Sequence, residues 1–124
     1  MAISRPAEVS NYLTTFKFYA QSPTNFQFLE DRDVHVNNIG ELGINPYQVR
    51  ETILQLTPSN YVSGPDVDKK YPKHNVWIFG VNLDGAETYI KLSDNFTHGI
   101  AKCISFHKSK FPITYAYPDG GDLT

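Results

Sequence analysis

The chain has few of the residues that build disulfides, metal centres or membrane spans. It contains one cysteine, one methionine and one tryptophan among its 124 residues. The single cysteine, Cys103, excludes an intramolecular disulfide, which fits a reducing compartment. No apolar run approaches the roughly 20 residues of a membrane span, and the N-terminus carries no signal-peptide pattern. We therefore expect a soluble, cytoplasmic protein with no membrane partner.

The motifs of several enzyme classes are also missing. The sequence holds no Walker loop, no dinucleotide-binding glycine fingerprint, no HExxH and no CxxC pair. Cys103 and His107 stand four residues apart in a predicted strand, and a separation of roughly 13 Å rules out a nucleophile–base pair. The four histidines are scattered along the chain and form no zinc pattern. We predict no metal and no cofactor.

Neither sign of charge predominates in the sequence. The net charge is −2, so the chain as a whole is not built for non-specific electrostatic binding to nucleic acid. Lysines nevertheless flank the predicted sheet. Single surface lysines are usually only solvated, whereas a cluster at one edge would form an anion-binding patch. The candidates for such a patch are Lys69, Lys70, Lys73, Lys102, Lys108 and Lys110.

A hydrophobic content of 40% with 14% aromatic residues predicts a single folded domain. An amphipathic first helix is predicted over about residues 4–21, because apolar residues recur at helical spacing after Pro6. A second helix is predicted from Asn45, a favourable cap, followed by Pro46 at the first helical position. Pro58 terminates this helix.

Three antiparallel strands are predicted in the second half of the chain. Asp84-Gly85 supplies the two-residue turn of a hairpin. The strands are Asn75–Leu83, Ala86–Ser93 and Ile100–Lys108. Residues 59–74 are rich in proline, glycine and charge and are predicted to be a long connection. Phe26 and Phe28 alternate as in a short edge strand, but they would also fit a loop that fills the core.

These elements predict an α+β fold of two layers. Two or three N-terminal helices, within residues 1–58, pack on one face of a three-stranded antiparallel β-meander at residues 75–110. The connection 59–74 joins the two parts. Residues 111–124 are expected to form an aromatic segment packed on the domain and then a frayed end.

The hairpin turn fixes the register and sorts the side chains between the two faces of the sheet. The helix-covered face carries Phe79 opposite Ile90, Trp77 opposite Leu92, and Ile104 and Phe106 from the third strand. The other face, called the open face below, carries Tyr89, Lys91, Ser105 and His107. We expect it to be uncovered, with Gly80 opposite Tyr89 leaving room for a ligand.

The residue types on the open face suit cleavage of RNA without a metal. A base must take the 2′-hydroxyl proton, a cation must stabilise charge on the phosphate, and an acid must protonate the leaving 5′-oxygen. His107 is the candidate general base or acid, Tyr89 the candidate proton donor or phosphate ligand, and Lys91 the candidate charge stabiliser. The same alternation also occurs on any half-exposed antiparallel strand, so the pattern alone does not settle the function.

From Glu41 to Pro112 the chain resembles the MqsR toxin family, small ribonucleases of bacterial type II toxin–antitoxin modules with a RelE-like fold. The resemblance rests on short fragments in a shared order. They are Leu42-Gly43-Ile44, Leu56-Thr57, Asn60-Tyr61, Val76-Trp77 with Phe79, Tyr89-Ile90-Lys91-Leu92, and Ile104-Ser105-Phe106-His107.

The resemblance implies cleavage of single-stranded mRNA and a cognate antitoxin protein that blocks it. In the family the middle-strand tyrosine and a basic residue after the last-strand Ser-Phe take part in cleavage. Those positions are Tyr89 and His107 here, and Lys91 lies in the matching Tyr-x-Lys pattern. Histidine in place of lysine favours acid–base chemistry. The expected substrate contacts are Lys69, Lys70, Lys73, Ser105 and Lys108.

Two positions depart from the family pattern. Ser63 lies near the place where some members carry lysine, and Ile78 replaces a polar residue after the tryptophan. With the negative net charge, these departures favour an alternative, a non-enzymatic interaction or regulatory module of phage, plasmid or degenerate-toxin origin. A third alternative is RNA binding without cleavage.

Overall fold

The computed structural model describes residues 2–29, 39–69, 72 and 75–121. Two α-helices and five β-strands are the main regular elements of these residues. Their bounds are α1 Pro6–Ala20, β1 Phe26–Phe28, α2 Pro46–Leu54, β2 Tyr61–Val67, β3 Asn75–Leu83, β4 Ala86–Ser93 and β5 Ala101–Lys108. The prediction of an α+β fold is confirmed. Neither of the described α-helices has the length and apolar composition needed to cross a membrane.

Both helices begin where the sequence indicates. α1 starts with Pro6 at its first position, and the Glu8 carboxylate accepts a hydrogen bond from the Arg5 backbone N–H at 3.0 Å. α2 has a reciprocal capping box, because the Gln48 N–H donates to Asn45 Oδ1 and the Asn45 N–H donates to Gln48 Oε1, each at 2.9 Å. These bonds pair backbone N–H groups that a helix start leaves without partners.

The ends of the helices are joined by side chains. Arg50 of α2 donates from Nε to the carbonyl oxygen of Ala20, the last residue of α1, at 2.7 Å. Lys17 of α1 donates from Nζ to the carbonyl oxygen of Leu56, just beyond α2. A helix end leaves its last carbonyls without partners in the helix, so each cation satisfies a group at or near the end of the other helix.

The core lies between the helices and one face of the sheet. α1 contributes Val9, Tyr12, Leu13, Phe16 and Ala20, and α2 contributes Val49 and Ile53. The Tyr12 ring stacks on Trp77 with 4.3 Å between centroids and 6° between planes. The Tyr12 hydroxyl donates to the Ser93 carbonyl oxygen at 2.7 Å, so this buried phenol packs and hydrogen-bonds at once.

The β3–β4 hairpin has the predicted turn and register. Asp84 and Gly85 have positive φ values of 51° and 89°, as a two-residue hairpin turn requires. The three pairs given above are present, together with two more that the same register places beside them. These pairs are Leu83 with Ala86, Phe79 with Ile90, Trp77 with Leu92, Gly80 with Tyr89, and Ile78 with Lys91. The hairpin therefore places Tyr89 and Lys91 on the face opposite the helices.

In the described part of the chain the sheet has five strands in the order β1-β5-β4-β3-β2, so the prediction of three strands is wrong. β1 runs parallel to β5, which confirms the edge-strand alternative for Phe26 and Phe28. β2 occupies the first half of the predicted connection 59–74. Gly64-Pro65 interrupts its pattern, and β2 accommodates the proline because it is an edge strand whose pairing shifts register there.

The predicted placement of Ile104 is also wrong. The β4–β5 register shifts between Lys91 and Leu92, which places Cys103 opposite Leu92 while Ser105 stays opposite Lys91. This bulge inserts one residue and reverses the faces on either side of it. Cys103 therefore joins the helix-side core, and Ile104 packs on the open face with Val76 and Ile78. Burial raises the pKa of the Cys103 thiol, so it stays protonated.

The C-terminal segment, residues 109–116, crosses the open face, which corrects the expectation that this face is uncovered. The Ser109 N–H donates to the Glu87 carbonyl oxygen at 2.8 Å, and the Ala116 N–H donates to the Tyr61 carbonyl oxygen at 3.0 Å. The segment, called the tail below, thus runs from β4 to the edge strand β2. The Tyr117 hydroxyl then donates to the Ser4 carbonyl oxygen at 2.7 Å.

The tail fills the space over Gly80 that the sequence assigns to a ligand. A Cβ added at Gly80 would lie 2.8 Å from Ile113 Cδ1 and 3.0 Å from the Tyr115 hydroxyl oxygen. Glycine is therefore needed for contact with the chain's own tail, and the ligand interpretation of Gly80 is wrong. The part of the open face beside β5 carries the remaining candidate residues.

Candidate functional site

Tyr89 of β4 and His107 of β5 form the centre of the site. They are direct partners in the β4–β5 ladder, and their rings stack with 5.1 Å between centroids and 24° between planes. Both side chains are half-buried. Neighbouring strands thus hold a phenol and an imidazole side by side on the open face.

The His107 ring has a defined orientation. Its Nδ1 lies 3.0 Å from the Lys108 carbonyl oxygen. A carbonyl oxygen only accepts hydrogen bonds, so this contact requires a hydrogen on Nδ1. In the neutral ring Nε2 then carries no hydrogen, and its lone pair can accept a proton.

The Tyr89 phenol is held in its neutral form. Burial raises its pKa above the ordinary value, and the Asp68 carboxylate raises it further, while the Lys91 ammonium acts in the opposite direction. A neutral phenol donates hydrogen bonds and is a weak base. Tyr89 is therefore suited to donate to an anionic oxygen.

Lys91 is paired with a carboxylate that the sequence interpretation missed. Its Nζ lies 3.0 Å from Asp68 Oδ2, and 25% of the Lys91 side chain but only 6% of the Asp68 side chain is exposed. Asp68 follows the last residue of β2 directly, so the edge strand positions it. Lys91 lies on the same face as the Tyr89–His107 pair, and the Asp68 carboxylate beside it offsets the positive charge of the ammonium.

Separate replacement of the two partners is expected to destabilise the fold. A hydrogen bond between charged groups contributes about 1.5–3 kcal/mol. We therefore expect Lys91→Met and Asp68→Asn each to lower the free energy of unfolding, measured by urea titration. The double variant should lose about 1.5–3 kcal/mol less than the sum of the two single losses. If the double variant instead loses the full sum of the two single losses, Lys91 and Asp68 do not interact strongly.

The remaining predicted substrate contacts are only partly brought together. Ser105 pairs with Lys91 in the ladder and lies on the open face. Lys69 is exposed and directly follows Asp68. Lys108 is exposed but alternates with His107, so its Cβ leaves β5 on the other side of the sheet. Lys70 and Lys73 lie outside the described residues.

Two parts of the site had weak signals in the sequence. Asp68 lies in residues 59–74, whose composition predicts a connection, and its contact with Lys91 has no local signal in the sequence. The tail has a clearer signal than Asp68. Apolar or aromatic residues occupy every second position, at Phe111, Ile113 and Tyr115, a pattern typical of a segment lying on an apolar surface. Within the described part of the chain no cluster of three or more His, Cys, Asp or Glu side chains is arranged to hold a metal ion.

Comparison of the chain with protein-family models, with curated proteins and with solved structures finds no match. The fold and site therefore define the chain only as an α+β protein. Its most distinctive feature is a tyrosine–histidine pair on the sheet face opposite its helices.

Proposed function

We propose that this chain is a metal-independent endoribonuclease, the toxin of a bacterial type II toxin–antitoxin module with a RelE-like fold. The stacked Tyr89–His107 pair carries this proposal. The sequence fragments similar to the MqsR family support it, since they include both residues. By the same resemblance its partner is a cognate antitoxin and its place of action is the cytoplasm.

The proposed reaction is attack of the RNA 2′-oxygen on the adjacent phosphorus. His107 Nε2 accepts the 2′-hydroxyl proton, the new P–O2′ bond forms and the P–O5′ bond breaks. The products are a 2′,3′-cyclic phosphate and a 5′-hydroxyl. Water protonates O5′ as it leaves, and the imidazolium of His107 returns its proton to the solvent, so the protons balance and the reaction needs no co-reactant. The requirement for a 2′-hydroxyl restricts this chemistry to RNA.

Tyr89 and Lys91 act on the phosphate in this proposal. The neutral phenol donates a hydrogen bond to a non-bridging oxygen as charge develops there. Lys91 supplies positive potential from the same face. Its pairing with Asp68 at 3.0 Å makes this contribution weaker than that of a lone lysine. His107 and Tyr89 are therefore the principal groups.

The purified protein incubated with single-stranded RNA in excess EDTA provides the test. We expect new fragments ending in 2′,3′-cyclic phosphate, and no cleavage of an oligonucleotide that carries 2′-deoxyribose at the cut position. Intact RNA, or equal cleavage of the deoxy-substituted strand, would contradict the proposal.

One observation favours the second candidate, a non-enzymatic interaction module. The Lys91–Asp68 pair and the tail both occupy parts of the open face that an enzyme would leave free for substrate. On this alternative, induced expression would not arrest growth. Growth arrest that the product of the neighbouring gene relieves would favour the toxin.

A further inference from the structure

A groove of about 360 Å³ lies between the open face and the tail. Its floor is formed by Val62 of β2, Ile78 of β3 and Tyr89 of β4, and its wall by Ser109, residues 111–114 and Ala116. Its volume lies in the range of about 300–1,000 Å³ typical of small-ligand sites. This space, called the tail groove below, adjoins the proposed reaction centre because Tyr89 belongs to both.

The wall of the tail groove is held in place by hydrogen bonds. The Ile113 N–H donates to Glu87 Oε2 at 3.0 Å. The Ser109 hydroxyl donates to the Phe111 carbonyl oxygen at 2.6 Å. Together with the backbone bonds from the tail to β4 and β2, these contacts fix the wall before any ligand arrives. A preformed site avoids the cost of ordering on binding.

The lining of the tail groove fits a flat, mostly apolar ligand with a polar edge. None of the described lining residues is charged. Phe111 stands at the groove with 77% of its surface exposed. Ser109 and Thr114 add hydroxyl groups to a wall that is otherwise apolar. A nucleobase has this shape and chemistry, and bases of single-stranded RNA stack on exposed aromatic side chains.

We propose that the tail groove holds a nucleobase next to the phosphate contacted by Tyr89 and His107, and that it thereby sets the base preference of cleavage. This inference rests on the proposed ribonuclease function. Tyr89 joins the two subsites, so a nucleotide can place its phosphate beside His107 while its base enters the groove. Phe111 contacts the base from the rim.

Binding of a non-cleavable oligonucleotide tests the inference without relying on catalysis. The probe is a short single-stranded RNA with 2′-deoxyribose at the cut position, or unsubstituted RNA if the parent protein cleaves none. An abasic residue is introduced at each position in turn. We expect one abasic position to weaken binding to the parent protein about 5- to 150-fold, the range of one base–aromatic stack.

In the Phe111→Ala variant, the abasic substitution at that position should no longer weaken binding; the weakening that it causes in the parent is called the abasic penalty below. The variant is expected to bind the intact probe more weakly than the parent, and to bind the probe abasic at that position as the parent does. Phe18→Ala is the matched control, because Phe18 is 64% exposed on α1. It should retain the full abasic penalty. Because Phe111 and Phe18 are both exposed, neither change should impair folding.

Each result decides between specific claims. An undiminished abasic penalty in Phe111→Ala, or no penalty at any position in the parent, overturns the base subsite. A penalty that disappears in Phe111→Ala while the parent cleaves no RNA supports the subsite and rejects the ribonuclease. Loss of binding in Phe18→Ala to the same extent as in Phe111→Ala also overturns the inference.

Discussion

Replacing His107 with glutamine is expected to reduce RNA cleavage by about 10²- to 10⁴-fold, the usual contribution of a positioned general base. Glutamine keeps a polar, planar group on β5 but cannot accept and release a proton near neutral pH. The measurement is kcat/KM on a single-stranded oligoribonucleotide in EDTA. Affinity for the non-cleavable deoxy-substituted probe should change far less, because the phosphate contact of Tyr89 remains.

His98→Asn is the matched control for this change. His98 is exposed, with a φ of 61° in the turn before β5. Asparagine tolerates that left-handed conformation. The control should cleave RNA at the parent rate. Cleavage by His107→Gln within about twofold of the parent would remove His107 from the reaction.

Replacing Tyr89 with phenylalanine should lower kcat by about 10²- to 10³-fold, the effect of removing one donor to a developing oxyanion. The change keeps the aromatic ring that stacks on His107 and deletes only the hydroxyl. The stability of the fold should therefore change little, as urea titration would measure. Because the pKa of Tyr89 is raised, the parent should keep this contribution through neutral and mildly alkaline pH.

Tyr47→Phe is the control for loss of a phenolic hydroxyl. Tyr47 lies on α2 with 65% of its surface exposed. Its variant should match the parent in kcat and KM. A Tyr89→Phe protein as active as Tyr47→Phe would show that the phenol does not act on the phosphate.

The sequence was sufficient to predict the hairpin and the face that carries Tyr89 and Lys91. Asp84-Gly85 determines the register locally, and side-chain alternation then assigns the faces. The α2 cap was equally readable, because Asn45 and Gln48 interact with backbone groups only three residues away. Features fixed by neighbouring residues are the ones that a single sequence encodes plainly.

Features that depend on distant parts of the chain were missed. β2 lacks a strand pattern at Gly64-Pro65 and is stabilised by pairing with β3. The bulge that moves Ile104 to the open face depends on how β5 meets β4. Asp68 approaches Lys91 only because β2 pairs antiparallel with β3 at the edge of the sheet. None of these arrangements has a local signature, since each needs a partner that is distant in sequence.

The tail shows the same limit in another way. Its apolar alternation predicts a segment packed on a surface but does not identify the surface. Gly80 was interpreted as space for a ligand, although it is the contact point for Ile113. Gly80 leaves space above the sheet, and the sequence does not show that the tail fills this space.

Chemical-shift mapping with the non-cleavable oligonucleotide tests the central claim most directly. The protein would be labelled with ¹⁵N and ¹³C and titrated with single-stranded RNA carrying 2′-deoxyribose at the cut position. If RNA binds at the tyrosine–histidine pair, the largest changes fall on the ring signals of Tyr89 and His107. Changes confined to α1 and α2, with both rings unaffected, would contradict it.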